Sequence, residues 1–592
     1  MSMRYFRTIA KPILWVVLFA GAWVLSVYLQ LFPVPLMRAL LIAGTFFGLN
    51  GLSRNPASRK EIAAFSLFSC PVSAALIIGQ HIHVEDIYSG TLTQNYMTPF
   101  SLADAAALFL LIPVLTVLFL ALYRCILRAP AVNLNRPVSP FHTKHLLFTF
   151  GALVLCYLPY LLLYWPGVIL NDTLSSIDQA LGFAPLVHHH PVPYTLFIKL
   201  CLQLGEALFS SRTIGYALYT TSQMLFVSAV LACMIDWLSR RTHSFVRIAL
   251  TALFSLTPYF AVYSVAGWKD PIFSVCVAAL SVFLLRSTLK PRLSLRSGLL
   301  YALLLIIIVF SRTNGVGILA LVALWQFARY LLTKKRVCRM LSGIAVAVAA
   351  LYFIVTGPVY DRAGIATDKR EANALVLQQM ARVAALDGDM SESDRAFLNE
   401  MLPLDLYKEV YRPCCVDLLK WHEQFDASCV SSDMYKHWLS LFIQNPVTYA
   451  EAWVLNTFGF WTLNVPEINS AEWNLSRGVV RNKLDPQYIA NTHAQYGIEM
   501  KNLLGYDTLR DILTTDEWFI PLGWIFWGCA FLFICLCLKG QSSLLDALIP
   551  TFGLMLPIIL VTPIAYWMRY GAALHDLLPM YLLLFCAKDE NH

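Results

Sequence analysis

Three basic side chains stand in short turns at the ends of apolar segments, where a cation is costly unless something pairs with it. They are Lys269 in Gly-Trp-Lys-Asp-Pro, Arg312 in Ser-Arg-Thr-Asn-Gly and Arg569 in Met-Arg-Tyr. Charged groups at such depth usually face a bundle interior or a water-filled cavity. If the three converge, they form an anion site, and the phosphate of a lipid carrier is the natural anion at a membrane. The alternative is that each is an isolated interface anchor.

The segment after the fifth apolar run is rich in polar residues. Trp165-Pro-Gly ends the preceding helix sharply, and Asn171 and Asp172 follow after three apolar residues. Asp172 is predicted to act as a general base in a partly desolvated cavity, a role that contributes about 10²–10⁴-fold to rate. The alternative is an N-cap carboxylate on the next helical turn. Asp178, six residues further on, does not share its helical face and is expected to be structural.

Several further polar residues near these turns are candidates for orienting a substrate: Asn171, His189, His190, Asp270, Asn314 and Tyr570. Asp270 has two alternative roles, capping the next helix or pairing locally with Lys269. The consecutive histidines His188–His190 suggest a metal, but adjacent side chains diverge, so one ion cannot take all three. The pattern therefore favours substrate contacts. The sequence requires no cofactor; a divalent metal is possible but no residue pattern supports it.

The composition identifies the elements that must position these residues. Of the 592 residues, 58% are hydrophobic and 14% are charged, and the mean hydropathy is +0.61. Soluble domains carry about 45–50% apolar and about 25% charged residues. These values exclude an ordinary cytosolic enzyme, a disordered chain and a small secreted scaffold. They predict an α-helical polytopic membrane protein.

Apolar runs near the roughly 20 residues that a membrane helix needs predict about 14 transmembrane helices. Their ranges are 9–31, 36–51, 62–80, 105–122, 145–164, 214–238, 246–266, 271–285, 299–310, 316–332, 340–355, 518–538, 544–564 and 571–586.

The basic residues of the short loops predict the orientation. With both termini cytoplasmic, 24 Lys and Arg residues lie on the cytoplasmic face. Val192–Phe209 would break this alternation as a further span, so we interpret it as an amphipathic helix on the outer surface. Besides the three cations in turns, Arg38, Lys199 and Arg212 fall on the outer side, where they can contact head groups.

One polar stretch interrupts the apolar pattern. Residues 360–516 hold 22 of the 36 acidic residues and only 14 of the 44 basic ones, a net charge of −8. The rest of the chain therefore carries +16, most of it explained by orientation, so the overall +8 does not indicate nucleic-acid binding. The topology makes this stretch an inserted, mainly helical, extracytoplasmic domain. Its Cys414, Cys415 and Cys429 allow one disulfide, and free thiols are the equal alternative.

Motifs in three places resemble an uncharacterised bacterial family of polytopic membrane proteins that is similar to the GT-C glycosyltransferases. The first is Trp165-Pro-Gly…Asp172…Gln179…Gly182…His189-His190-Pro191…Thr195-Leu, and the others are Arg312-Thr-Asn-Gly and Arg569-Tyr570…Pro579. They cover roughly residues 145–335 and 560–590. The chain departs from the pattern in its four preceding spans, in the position of its polar domain, and in lacking a second acidic motif.

The resemblance implies a bacterial cytoplasmic-membrane glycosyltransferase that moves a sugar from a polyprenyl-phosphate donor to a cell-surface glycan, with inversion. It assigns the base to Asp172 and donor-phosphate contacts to Lys269, Arg312 and Arg569. The predicted domains are a four-helix module (1–135), a GT-C-like core with its first outer loop at 165–213 (136–358), the acidic domain (359–516) and three closing helices (517–592). The partners would be the lipid-linked donor, the glycan acceptor and the bilayer. The alternatives are a transporter or flippase of a lipid-linked glycan and a surface polysaccharide polymerase.

Overall fold

The structure, a computed structural model, describes residues 2–29, 35–54, 56–129, 132–134, 139–288, 292–463, 485–505 and 520–588. It is mostly helical, at 74%. The N-terminal module consists of the helices α1 (Ser2–Tyr28), α2 (Pro35–Arg54), α3 (Arg59–Gln80) and α4 (Leu102–Arg128). The strands β1 (Ile82–Val84) and β2 (Asn95–Met97) pair antiparallel between α3 and α4.

The central part of the chain is a run of helices joined by short turns, as expected where long apolar segments alternate with polar breaks. They are α5 (Thr143–Leu163), α6 (Asn171–Leu181), α7 (Val192–Phe209), α8 (Arg212–Ser239), α9 (Ser244–Leu256), α10 (Pro258–Val265), α11 (Asp270–Thr288), α12 (Leu295–Ser311), α13 (Gly315–Thr333) and α14 (Arg336–Ile354).

The acidic domain has shorter helices, and three further helices close the chain. The domain contains α15 (Tyr360–Arg362), α16 (Ala374–Ala385), α17 (Glu392–Met401), α18 (Tyr407–Val410), α19 (Asp417–Lys420), α20 (Met434–Gln444), α21 (Pro446–Thr457) and α22 (Pro486–Tyr496). The closing helices are α23 (Leu522–Leu538), α24 (Ile549–Leu560) and α25 (Ala572–Cys586).

Eight helices in the described ranges are long and apolar enough to cross a membrane: α3, α4, α5, α7, α8, α11, α13 and the stretch Arg336–Arg362 that begins with α14. The bent pair of α9 and α10 makes a ninth if it forms one span. This confirms the coarser prediction of a helical protein built from membrane-spanning segments. The number of 14 spans and their orientation remain predictions.

The predicted span 246–266 is broken. α9 and α10 are bent by 58° at Thr257, whose backbone is extended (φ −79°, ψ 115°). Pro258 causes this break, because its ring disfavours a helical conformation in the residue before it and it lacks an N–H to continue the ladder. The predicted span 544–564 is also shortened, to a 3₁₀ turn (Leu544–Ala547) and α24. The start of the predicted span 518–538 lies outside the described residues.

The helix α7 satisfies the same length and composition test as the spans, although the sequence predicts a helix on the surface. Rings near the start of α7, Tyr194 and Phe197, pack against Tyr219 of α8. Tyr219 is the eighth residue of the 28-residue α8, so the start of α7 lies beside the first third of α8. Its placement relative to the membrane stays a prediction.

The N-terminal module packs against the closing helices through aromatic rings. Phe65 and Phe68 of α3 and Phe119 of α4 meet Phe531 of α23 at centroid distances of 5.4 to 6.2 Å. The short strands β3 (Val132–Asn133) and β4 (Ala587–Lys588) pair in parallel and join the segment after α4 to the segment after α25. The module is therefore anchored to the last third of the chain.

The acidic domain has its own buried core and docks on the helical part through its backbone. Val416 N–H donates to Pro563 C=O at 2.9 Å, and Ala565 N–H donates to Cys414 C=O at 2.8 Å. A second backbone contact joins the domain to the loop after α6, where His188 N–H donates to Ala366 C=O at 2.9 Å. We call the side of the helix bundle that carries these contacts the domain side.

Candidate functional site

The loop after α5 is held against the turn between α10 and α11 by strand-like pairing. Val168 N–H donates to Val265 C=O at 3.1 Å, and Gly267 N–H donates back to Val168 C=O at 2.8 Å. Asp172, four residues beyond Val168, therefore lies beside Lys269, two residues beyond Gly267. Two segments about 100 residues apart in sequence thus build one site.

Close packing at Gly267 fixes this pairing. A Cβ at this position would collide with the Tyr216 hydroxyl and crowd Val168 C=O. The carbonyl of Gly267 accepts hydrogen bonds from the hydroxyls of Thr173 and Tyr194, the latter at 2.8 Å. A side chain would displace these partners, so the glycine is required for the turn that carries Lys269.

Four of the predicted site residues form a continuous chain of ion pairs. The Arg569 guanidinium donates to Asp172 Oδ2 at 2.7 Å, and its Nη1 lies 3.6 Å from Asp270 Oδ2. The other oxygen of Asp270 pairs with Arg312. Together with Lys269 we call these residues the charge cluster. Asp270 thus pairs with the two arginines and forms no ion pair with its neighbour Lys269, and the N-cap of α6 is Leu170, so Asp172 is not the capping residue.

The members of the charge cluster differ in exposure. The Asp270 side chain is fully buried, and those of Arg569 and Arg312 are 7% and 10% exposed. The Asp172 side chain is 33% exposed. Asp172 is therefore the carboxylate of the cluster that a ligand can reach.

Aromatic rings surround the two arginines. The Arg569 guanidinium lies 4.8 Å from the Trp268 ring and 4.4 Å from the Trp567 ring. The Tyr570 ring lies 4.5 Å from the Arg312 guanidinium and 5.4 Å from that of Arg569. These rings attract the cations and exclude water from the inner part of the cluster, so both guanidinium groups are held in fixed positions.

Lys269 is the remaining cation of the cluster. Within the described part of the chain, its amine forms no ion pair. Burial lowers the pKa of Lys269 to about 8, with Arg312 and Arg569 adding to the effect and Asp172 opposing it. At neutral pH the Lys269 amine is thus charged, and it can pair with an anion that enters the site.

Burial and the neighbouring charges shift the pKa values of Asp172, Arg569 and Arg312. Burial raises the pKa of Asp172, but the Arg569 and Lys269 charges outweigh it and hold the pKa well below its usual range. Burial lowers the pKa of Arg569, and the Asp172 carboxylate reverses the effect, so this pKa is raised. The pKa of Arg312 is lowered by burial. Without a ligand, Asp172 is a stable anion and a weak base.

The three histidines lie between the charge cluster and the acidic domain. The His190 side chain is buried, and burial together with the Lys269 charge lowers its pKa to about 3. The His189 ring contacts the His190 ring at 4.5 Å and lies 3.5 Å from Glu371 of the acidic domain. Across the described residues, no group of three or more potential ligands is arranged to hold a metal ion.

The other predicted residues lie around this centre. Tyr570 stacks within the cluster, Asn171 is an exposed first residue of α6, and Asn314 is the N-cap of α13 without a side-chain capping bond. Asp178 accepts a hydrogen bond from the Tyr496 hydroxyl at 2.9 Å and so links α6 to α22 of the acidic domain.

The structure also places Arg212 and the cysteines, for which the sequence left the role open. Arg212 pairs with Glu206 at 2.5 Å, so it is not a free head-group contact, and the side chain of Arg38 lies outside the described residues. The 14 cysteines of the structure, including those of the acidic domain, are present as free thiols.

Sequence reasoning missed a second group of charges, on the acidic domain next to the histidines. Lys420 is buried and pairs with Glu371 at 2.5 Å and with Asp417 at 2.7 Å. Arg370 pairs with Asp368 and stacks on the Trp421 ring at 4.0 Å. These residues are scattered over a polar stretch with no distinctive spacing, so only the fold brings them together.

The fold and the site define a class: a mostly helical chain with several membrane-spanning segments that joins three cations and two carboxylates at one place on its domain side. The chain belongs to a family of unknown function, DUF6020, whose model matches residues 183–592. The match includes Lys269, Asp270, Arg312, Arg569 and the acidic domain, and it begins beyond Asp172. No curated protein and no solved structure matches the chain.

Proposed function

We propose that the protein is an integral-membrane glycosyltransferase that moves a sugar from a polyprenyl-phosphate donor to a glycan acceptor on the outer face of the membrane. The observation that carries the proposal is the charge cluster, which brings Asp172, Lys269, Arg312 and Arg569 together from four separate segments of the chain. The resemblance of the motifs to GT-C enzymes is the second support.

The charge balance of the cluster fits the donor. Three cations face two carboxylates, so one positive charge is uncompensated, and a sugar phosphodiester carries one negative charge. Lys269 would meet this charge first, because its amine is not engaged in an ion pair within the described residues. Arg569 would bind the phosphate next, as its contact with Asp172 loosens. Arg312 would stabilise the charge that develops on the leaving phosphate.

Donor binding would also activate the base. When the phosphate takes over Arg569, Asp172 loses the cation that holds its pKa low, so the pKa rises toward the usual value and the carboxylate becomes a better base. Asp172 would then remove the proton of an acceptor hydroxyl. The acceptor oxygen attacks the anomeric carbon opposite the phosphate, the bond to phosphate breaks, and its electron pair leaves with the phosphate. The anomeric centre is inverted. His189, His190 and Asn171 would orient the sugars.

Transfer by the purified protein tests this proposal. The protein is reconstituted in nanodiscs with radiolabelled polyprenyl-phosphate sugars and an extract of cell-surface glycans, and incorporation of label is measured. Asp172→Asn is expected to lower turnover by about 10²–10⁴-fold. Asp178→Asn is the matched control, because it removes a carboxylate from the same helix without touching the cluster. Near-normal turnover of Asp172→Asn would refute the assignment of Asp172 as the general base.

A transporter or flippase of a lipid-linked glycan is the second candidate, and one observation favours it. α10, the short helix that follows the 58° bend after α9, ends at the turn that carries Lys269, and broken helices at a binding site are typical of transporters. Liposomes with a labelled lipid-linked glycan separate the two candidates. Movement of the label across the bilayer without a new glycosidic bond would favour transport.

A further inference from the structure

An aromatic side chain on the acidic domain lies in an unusual polar setting beside the site. Trp421 directly follows α19 and is 46% exposed. The Arg370 guanidinium lies over its ring at 4.0 Å, and the His189 ring meets it edge-on at 5.6 Å. Nearly half of this large apolar surface therefore remains open, next to groups that donate and accept hydrogen bonds.

The charges around Trp421 are already paired with one another. Arg370 donates two or more hydrogen bonds to the Asp368 carboxylate, at 2.6 to 3.0 Å. Lys420 is shared between Glu371 and Asp417. Three carboxylates thus face two cations, and no positive charge is left over. This surface suits an uncharged ligand and disfavours an anion, in contrast to the charge cluster.

A flat aromatic surface surrounded by fixed, paired polar groups is suited to a saccharide. The apolar C–H face of a sugar ring packs on an aromatic ring, and its hydroxyls need both donors and acceptors. Arg370 and His189 supply donors, and Glu371 and Asp368 supply acceptors. Their mutual pairing holds these side chains in place before a ligand arrives, so little conformational entropy is lost on binding.

The surface is continuous with the charge cluster. Glu371 lies 3.5 Å from His189, and the His189 ring lies 4.5 Å from the His190 ring. The charges of Asp172 and Lys269 in turn act on His190. A row of side chains therefore leads from Trp421 on the acidic domain to the partly exposed carboxylate of Asp172.

We propose that Trp421, Arg370, Glu371 and His189 form a subsite for an uncharged saccharide, and that the acceptor glycan enters from the acidic domain and extends along the histidines to Asp172. The assignment of this saccharide as the acceptor rests on the proposed glycosyltransferase function. The subsite itself does not, because it follows from the chemistry of the surface.

Binding to a glycan array tests the subsite. The full-length protein in nanodiscs is applied to an array of neutral and acidic oligosaccharides, and binding of polyprenyl phosphate is measured on the same preparation. Wild type is expected to retain neutral oligosaccharides. Trp421→Ala is expected to lose at least about tenfold in this affinity, as truncation of a central aromatic anchor does, with polyprenyl-phosphate binding unchanged.

Two variants control this experiment. Tyr435→Ala removes an aromatic side chain of the same domain that is 48% exposed and should leave glycan binding intact. Trp421→Phe keeps an aromatic face and should recover most of the affinity even if Trp421→Ala reduces folding. The subsite is refuted if wild type retains no neutral glycan, if only acidic glycans bind, or if both Trp421 variants bind as wild type does.

The outcomes also separate this inference from the proposed function. Neutral glycan binding that depends on Trp421, in a protein without transfer activity, would support the subsite and contradict the glycosyltransferase. Transfer that is indifferent to Trp421→Ala would support the glycosyltransferase and refute the assignment of the bound saccharide as its acceptor.

Discussion

Replacing Asp172 by Asn should tighten the binding of polyprenyl phosphate while it lowers turnover by about 10²–10⁴-fold. In the ligand-free site, Asp172 accepts a hydrogen bond from Arg569 at 2.7 Å, so the phosphate must compete with this carboxylate for the guanidinium. The neutral amide of Asn is a weaker competitor. An ordinary substrate-contact role for Asp172 would have the opposite effect, because loss of the contact would weaken binding.

The size of the effect follows from the geometry. A hydrogen bond to a charged group contributes about 1.5–3 kcal/mol net. Asp172 is 33% exposed, so solvent screening places its contribution near the lower end, about 1.5 kcal/mol. At about 1.4 kcal/mol for each tenfold change, the variant should bind polyprenyl phosphate about tenfold more tightly.

Equilibrium titration of the protein in nanodiscs with polyprenyl phosphate, at constant pH and salt, measures this change. Arg569→Gln should weaken binding in the same assay, and Asp178→Asn should leave it unchanged. Unchanged or weaker binding by Asp172→Asn would refute the idea that this carboxylate competes with the phosphate.

Three further results are expected. The pKa of Lys269 is lowered to about 8, and only the charged amine attracts the phosphodiester. The affinity for polyprenyl phosphate should therefore fall as the pH rises through 8, by up to about tenfold per pH unit. An affinity that stays constant from pH 6 to 10 would contradict this. Gly267→Ala forces a Cβ into occupied space and should lower the free energy of unfolding by about 1–3 kcal/mol, whereas Gly343→Ala, with open space around it, should melt like wild type. Arg329→Met removes the buried ion pair with Asp546 while the Trp325 indole still donates to that carboxylate. It should cost about 3 kcal/mol in thermal or denaturant unfolding, a loss that Asp546→Asn in the same background should partly restore.

The turns that carry the charge cluster could be predicted from the sequence because a cation at the end of an apolar helix must find a partner. Lys269, Arg312 and Arg569 stand out for this reason, and the fold brings them together. The partner itself could not be predicted, since Asp270 looks like a capping residue from its position before Pro271. Its burial between two arginines depends on contacts across hundreds of residues.

Sequence reasoning missed the break in the span 246–266 and the docking of the acidic domain, and the two misses have different causes. The break at Thr257 had a visible signal, Pro258, but the apolar residues on both sides dominate the hydropathy pattern. The docking of the acidic domain had no signal of this kind. Glu371 and Trp421 belong to a polar stretch in which no spacing distinguishes one charged residue from another. The backbone contacts of residues 414–416 with 563–565 and of Ala366 with His188 bring that stretch next to His189.

A structure of the protein with a bound polyprenyl-phosphate sugar analogue tests the central claim most directly. We expect the phosphate oxygens within hydrogen-bond distance of Lys269 Nζ and an Arg569 nitrogen, about 2.7–3.2 Å, the anomeric carbon beside Asp172, and the ion pair between Asp172 and Arg569 parted. A phosphate bound elsewhere, with the 2.7 Å contact between Arg569 and Asp172 intact, would contradict the assignment of the charge cluster as the donor site.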